Sequence, residues 1–228
     1  MRVKKFPESG PKRRLLDAAE VLFAERGFES VSFRDITGSA ETNIAALNYH
    51  FGSREVLIDL LIVHYANPVN EERLARLEAV ERKWAGKATP IEEVCDAWLR
   101  PLQGMTRKSK LAEPLFQKLL GRIFALAPAS FPPEAQQLQT HASNRFLKAL
   151  SKALPALSGE ELAWRAHFVE GATIHVLLGQ NPLSNHASAT PTTEAMLGRL
   201  IRFSAAGLRE GVESEAPAKK GPQAIFDF

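Results

Sequence analysis

Apolar residues return at three- and four-residue intervals through almost the whole chain, and no stretch alternates as a half-buried strand would. Leu15, Ala18, Ala19, Leu22 and Phe23 set the pattern on one face of a helix expected over Lys12–Arg26, with Gly27 as its stop. Such a period confines the chain to helices packed on helices, so the expected fold class is all-α.

Capping residues place the next elements. Ser32 can cap a short second helix, with Asp35 reaching back to it and Phe33 and Ile36 facing inward. Gly38 to Thr42, "GSAET", reads as a turn, and Asn43 can cap a third helix that runs through Tyr49. Phe51-Gly52 ends that helix, and Ser53 caps a fourth that carries Val56, Leu57, Leu60, Leu61 and Val63. Pro68 is expected to bend or divide the fourth helix. Further starts are read at Thr89-Pro90, Ser158 and Thr190-Pro191, with helices over Leu111–Leu126 and Glu134–Leu154 between them. The expected division is a basic, disordered arm over residues 1–9, a small helical domain over 10–66, a larger one over 67–210 and a disordered tail over 211–228.

The 228 residues, 45% of them hydrophobic, suffice for a sizeable core. No run approaches the roughly 20 apolar residues of a membrane span. The N-terminus lacks the apolar segment of a secretory signal, and Cys95 is the single cysteine, so a cytoplasmic protein without membrane association is expected. The net charge is only +3, but Arg2, Lys4, Lys5, Lys12, Arg13 and Arg14 gather at the N-terminus against Glu8 alone. That cluster suits a phosphate backbone, and it also suits a solvated tail.

"NIAALNYHFGSREVL", Asn43 to Leu57, narrows the function. Two short helices joined by a tight turn make a helix-turn-helix, whose second helix can enter a DNA major groove. Ala45 and Ala46 keep that helix thin, and Asn43 and Asn48 offer the donors and acceptors that base edges require. Tyr49 and His50 can reach phosphates at the groove rim, while Leu47 and Phe51 point into the core. The start of the next helix at Ser53-Arg54 can hold another phosphate. An ordinary helical hairpin would carry the same spacing.

These residues resemble the DNA-binding domain of the TetR family of bacterial transcriptional regulators. "RRLLDAAEVLFAERGFESVSFRDIT" is similar to the family's first two helices, and "LNYHFGSREVL" to its recognition helix and following turn. The resemblance covers roughly residues 10 to 65, and the motif is similar to that of the PsrA-like subgroup. It implies a DNA contact set of Ser32, Arg34, Thr42, Asn43, Ala45, Ala46, Asn48, Tyr49 and His50, with Arg54 in place of a phosphate-binding lysine. The family turn usually reads Ala-Gly-Val, whereas here it is Ala40-Glu41-Thr42, which asks Glu41 for a positive φ.

The resemblance further implies a dimer, an effector pocket in the larger half, and a repressor released from a pseudo-palindromic operator by a small, mostly apolar compound such as a fatty acyl compound. Val169, Ala172 and Val176, with Leu197, Leu200, Ile201, Ser204 and Leu208, form two helical stripes expected at the dimer interface. The same stripes suit an intramolecular core. Phe116, Leu119, Leu120, Ile123 and Phe124 are candidate walls of the pocket, and Trp98, Arg145, Trp164 and His167 candidate rim groups. His141, His167, His175 and Glu170 make no metal-ligand or acid–base spacing, and no phosphate-loop or dinucleotide glycine pattern occurs. No catalytic residue, metal or cofactor is therefore expected. A helical metal-dependent enzyme and a protein-binding adaptor are the alternatives.

Overall fold

A computed structural model describes residues 6–7, 9–104, 110–179 and 192–211. Among these there are ten α-helices and no strand. They are α1 (Pro11–Arg26), α2 (Phe33–Ser39), α3 (Ile44–Phe51), α4 (Arg54–Lys83), α5 (Ile91–Leu99), α6 (Pro101–Gly104), α7 (Glu113–Phe124), α8 (Pro133–Ala153), α9 (Gly159–Leu177) and α10 (Thr193–Arg209). Most of the basic arm, the start expected at Thr190-Pro191 and the tail from residue 212 lie outside the described residues. Phe6, placed by sequence in a disordered arm, stacks on His64 with ring centroids 3.5 Å apart.

Local chemistry starts these helices where the caps stand. Ser32 and Asp35 form a reciprocal capping box. Asn43 Oδ1 accepts from the Ala46 N–H at 2.8 Å, and Ser53 Oγ from the Val56 N–H at 3.3 Å. Ser158 and Thr192 cap α9 and α10 in the same way.

Pro68 does not divide the fourth helix. α4 runs unbroken for 30 residues, because α5, α7 and α8 pack along it around and beyond Pro68. That packing outweighs the missing backbone hydrogen bond and the ring clash, about 3 kcal/mol in an isolated helix. The boundary expected at residue 66 therefore falls inside one helix.

Two apolar clusters share α4. The first gathers α1–α3 and the N-terminal half of α4 with Phe116, Leu119, Leu120 and Ile123 of α7. The second gathers Leu77 with α5, α8, α9 and α10. Where the first cluster gives way to the second along α4 lie three buried polar residues, Asn67 beside Val69, then Asn70 and Arg73.

In the turn before α3, Glu41 has a φ of 49°, the left-handed region that a Cβ disfavours. Glu41→Gly is expected to stabilise the chain by about 0.5–1 kcal/mol, read as a higher urea midpoint at unchanged slope. A lower midpoint would show that the Glu41 side chain makes a compensating interaction.

Candidate functional site

The helix-turn-helix is anchored from below. Ile36, Leu47 and Phe51 are buried in the first cluster, which orients α2 and α3. The Asp35 carboxylate accepts from the Ser32 N–H at 2.8 Å and from its hydroxyl at 2.5 Å. Those bonds hold its pKa below the ordinary carboxylate range. What remains outward on α3 is Asn43, Ala45, Asn48 and Tyr49, with Ser32 and Arg34 exposed on and before α2. Tyr49 is 86% exposed, which rules out a core role for its ring. Thr42, Ala46 and His50 are half-buried beside them. Ile44 is also exposed, an apolar group that the polar pattern gave no reason to expect there. Lys12, at the start of α1, lies over the Phe51 ring at 5.3 Å and brings a cation beside α3.

Two side chains in this set already have structural work. Asn43 uses its carbonyl oxygen as the cap, leaving its amide N–H groups outward. Arg54, expected to hold a phosphate, is largely occupied within the chain. Its Nε donates to the Val31 carbonyl at 3.1 Å and its Nη2 to the Phe28 carbonyl, strapping the loop after α1 to the start of α4. Only its remaining N–H groups can serve a phosphate.

The candidate effector residues do not converge. Phe116, Leu119, Leu120 and Ile123 are sealed in the first cluster, and the partly buried Phe124 packs against it. Trp98 is buried in the second cluster, 5.6 Å from the Phe146 ring. Arg145 pairs with Glu81 at 2.7 Å, beside a cavity of about 540 Å³ that Trp84, Lys87, Lys148 and Lys152 also line. Trp164 and His167 lie on the outer face of α9. An apolar period marks a side chain as inward, but it does not say which of two cores receives it.

Sequence reasoning missed the group that joins the two clusters. Arg73 Nε donates to the Trp98 carbonyl at 2.9 Å, and its Nη1 to Asn70 Oδ1 at 3.1 Å. Asn70 Nδ2 in turn donates to Gln139 Oε1 at 2.7 Å. The guanidinium sits 5.0 Å over the Phe124 ring. Burial brings its pKa down to about 10, so it stays protonated at neutral pH. The signal was present as Asn67, Asn70 and Arg73, polar residues on the inward stripe of an amphipathic helix.

The expected dimer stripes mostly turn inward. Val169, Leu197, Leu200, Ile201, Ser204 and Leu208 are buried inside the chain, while Ala172 and Val176 are half-buried. An apolar stripe packs against whatever is nearest, and here that is the chain's own α5 and α8. The opposite faces carry Trp164, Phe168 and Phe203, which are 54%, 63% and 70% exposed.

Hydrogen bonds add to the apolar packing of α7 on α1. Arg122 of α7 donates to the carbonyls of Ala24 and Glu25 at the end of α1, at 3.5 and 3.3 Å. Gly27 makes room for it: a Cβ there would lie 2.9 Å from the guanidinium.

Comparison with known proteins agrees with this geometry. Residues 15–61 match the family model described as bacterial regulatory proteins, tetR family, and residues 96–207 match the tetracyclin repressor-like C-terminal domain. The HTH-type transcriptional repressor KstR of Mycobacterium tuberculosis is 23% identical over 186 residues, 81% of this chain and 76% of its own. The HTH-type transcriptional repressor KstR2 of Rhodococcus jostii is 40% identical over 55 residues, 24% of this chain and 27% of its own. A TetR family regulator from Shewanella sp. PV-4 superposes with a TM-score of 0.54 at 14% identity, over 86% of this chain and 96% of that one. AmtR of Mycobacterium smegmatis gives 0.55 at 14%, over 93% and 99%. At such identities the likeness is one of fold.

Proposed function

This chain belongs to the TetR family of DNA-binding bacterial regulatory proteins, and from that premise we propose that it is a homodimeric transcriptional repressor released from its operator by a small, mostly apolar effector. The observation that carries the reading is the outward face of α3, where Asn48 and Tyr49 stand exposed on a helix pinned by Leu47 and Phe51. Each subunit lays that helix in one half-site of a pseudo-palindrome, in successive major grooves on one side of the duplex. Ser32, Arg34, Thr42, Asn43, Ala45, Ala46, His50 and the remaining N–H groups of Arg54 complete the DNA contact set. The repressor sign is supported by likeness to KstR. The protein works in the cytoplasm.

The effector acts by binding two states of the protein unequally. α4 is the moving part: it begins at Ser53, beside α3, and ends in the larger half. The Arg122 bonds to the end of α1 give α7 a second hold on the DNA-binding helices. A changed spacing of the two α3 helices no longer fits the half-sites. A fatty acyl compound is the leading effector class, from the likeness of the α3 motif to PsrA-like regulators.

Footprinting on DNA flanking the protein's own gene, at two salt concentrations, tests the reading. Protection of a two-fold symmetric site with steep salt dependence is expected; no protected duplex at low salt would reject it. Asn48→Ala is expected to change sequence preference, because removing its hydrogen bonds to a base edge costs about 1–3 kcal/mol at that position. Tyr49→Ala weakens all duplexes alike, because it holds a phosphate. Equal weakening on operator and random DNA for Asn48→Ala would remove that residue from base readout.

A further inference from the structure

We infer that Arg73 anchors the anionic group of the effector, and that the effector is an apolar carboxylate. The inference rests on the regulator reading above and names the ligand chemistry of its larger half. Arg73 is buried, yet among the described residues its hydrogen bonds go only to neutral acceptors, the Trp98 carbonyl and the Asn70 amide. Neutral oxygens satisfy N–H groups without cancelling charge, and a buried cation without a contacting anion is costly.

The acid that acts on Arg73 does not remove that cost. Glu170 of α9 reaches it only through space, and burial raises its own carboxyl pKa, opposed by Arg73 and His167.

The surroundings fit an apolar acid. Two N–H groups of Arg73 are engaged, and the guanidinium has further N–H groups suited to two parallel bonds with a carboxylate. Phe124 lies beneath it, and apolar clusters stand on both sides along α4. A carboxylate bound there presses directly on α4, the helix that leads to α3.

The test uses the full chain and straight-chain, aromatic and polycyclic carboxylates, each beside its own primary amide. Binding is followed by thermal midpoint and by tryptophan fluorescence. At least one carboxylate is expected to bind wild type roughly 10- to 100-fold tighter than its amide. Arg73→Gln and Arg73→Met should abolish that preference, and Arg73→Lys should restore part of it. The wild-type comparison of acid with amide needs no variant, so poor folding of the Arg73 variants leaves the inference testable. Wild type showing no preference for any carboxylate over its amide overturns it. So does a preference that survives in Arg73→Gln. Duplex binding by ligand-free protein is measured in parallel: its absence counts against the regulator reading, whereas its presence without any acid preference counts against the Arg73 anchor alone.

Discussion

Changing Phe168 and Phe203 together to aspartate is expected to give a folded monomer whose operator affinity falls about 100-fold or more. Trp164 and Phe168 lie one turn apart on α9 with ring centroids 6.0 Å apart, and Phe203 stands on the outer face of α10. Large aromatics this exposed gain little inside one chain, and they fit the association surface of the proposed dimer. Gly171 and Gly207, where a Cβ would meet nothing within 4 Å, leave room for the partner helices of the proposed dimer. In the proposed dimer, two such helices from each subunit would make a self-complementary four-helix interface. Without the dimer, the gain from tethering one α3 helix beside the other disappears, while the interactions within each half-site persist. Sedimentation should show the monomer mass, and circular dichroism an unchanged helix content. A dimer that survives both aspartates would place the interface elsewhere.

Arg13→Met is expected to cost about 3–5 kcal/mol of unfolding free energy at pH 8, the penalty that follows when a buried ion pair is broken from one side. Arg13 Nη2 lies 3.4 Å from Glu20 Oε1, and both residues are buried on α1. Burial pushes the Glu20 carboxyl above its ordinary range; Arg13 and the Tyr65 hydroxyl oppose the push, as does Lys110, while Asp17 adds to it. A carboxyl with a raised folded pKa favours the fold fully below its unfolded value of about 4.3. That contribution is lost as pH rises through the folded value. Removing Arg13 takes away the largest opposing influence and raises the folded pKa further, which widens the window. Urea unfolding of Arg13→Met should therefore show a larger deficit at pH 8 than at pH 5. Equal deficits at both values would mean that Glu20 is protonated throughout and that Arg13 acts by packing and by its closer pair with Asp17, Nε to Oδ1 at 2.5 Å.

The sequence by itself determined what depends on neighbours a few residues apart. Ser32 with Asp35, Asn43 and Ser53 start their helices because each cap bonds an N–H three residues on. The outward face of α3 was legible for the same reason: Leu47 and Phe51 are one turn apart, so the residues between them have one side left. Glu41 was legible as a misfit only through the family resemblance, whose turn usually carries glycine at that place. Tertiary structure alone decided the rest. The period of α9 and α10 shows that each has an apolar stripe, but not that α5 and α8 would cover Val169 and Leu197 and leave Phe168 and Phe203 outside. Pro68 is a breaker in an isolated helix and is overruled by three helices packed along α4. Arg54 looked outward in sequence, and was claimed by carbonyls 23 and 26 residues away. Arg73 gained its meaning only when α5, α7 and α8 closed around it. Capping is a contest of short-range hydrogen bonds that each segment settles alone; burial and pairing depend on distant segments, and no local pattern records which of them arrives.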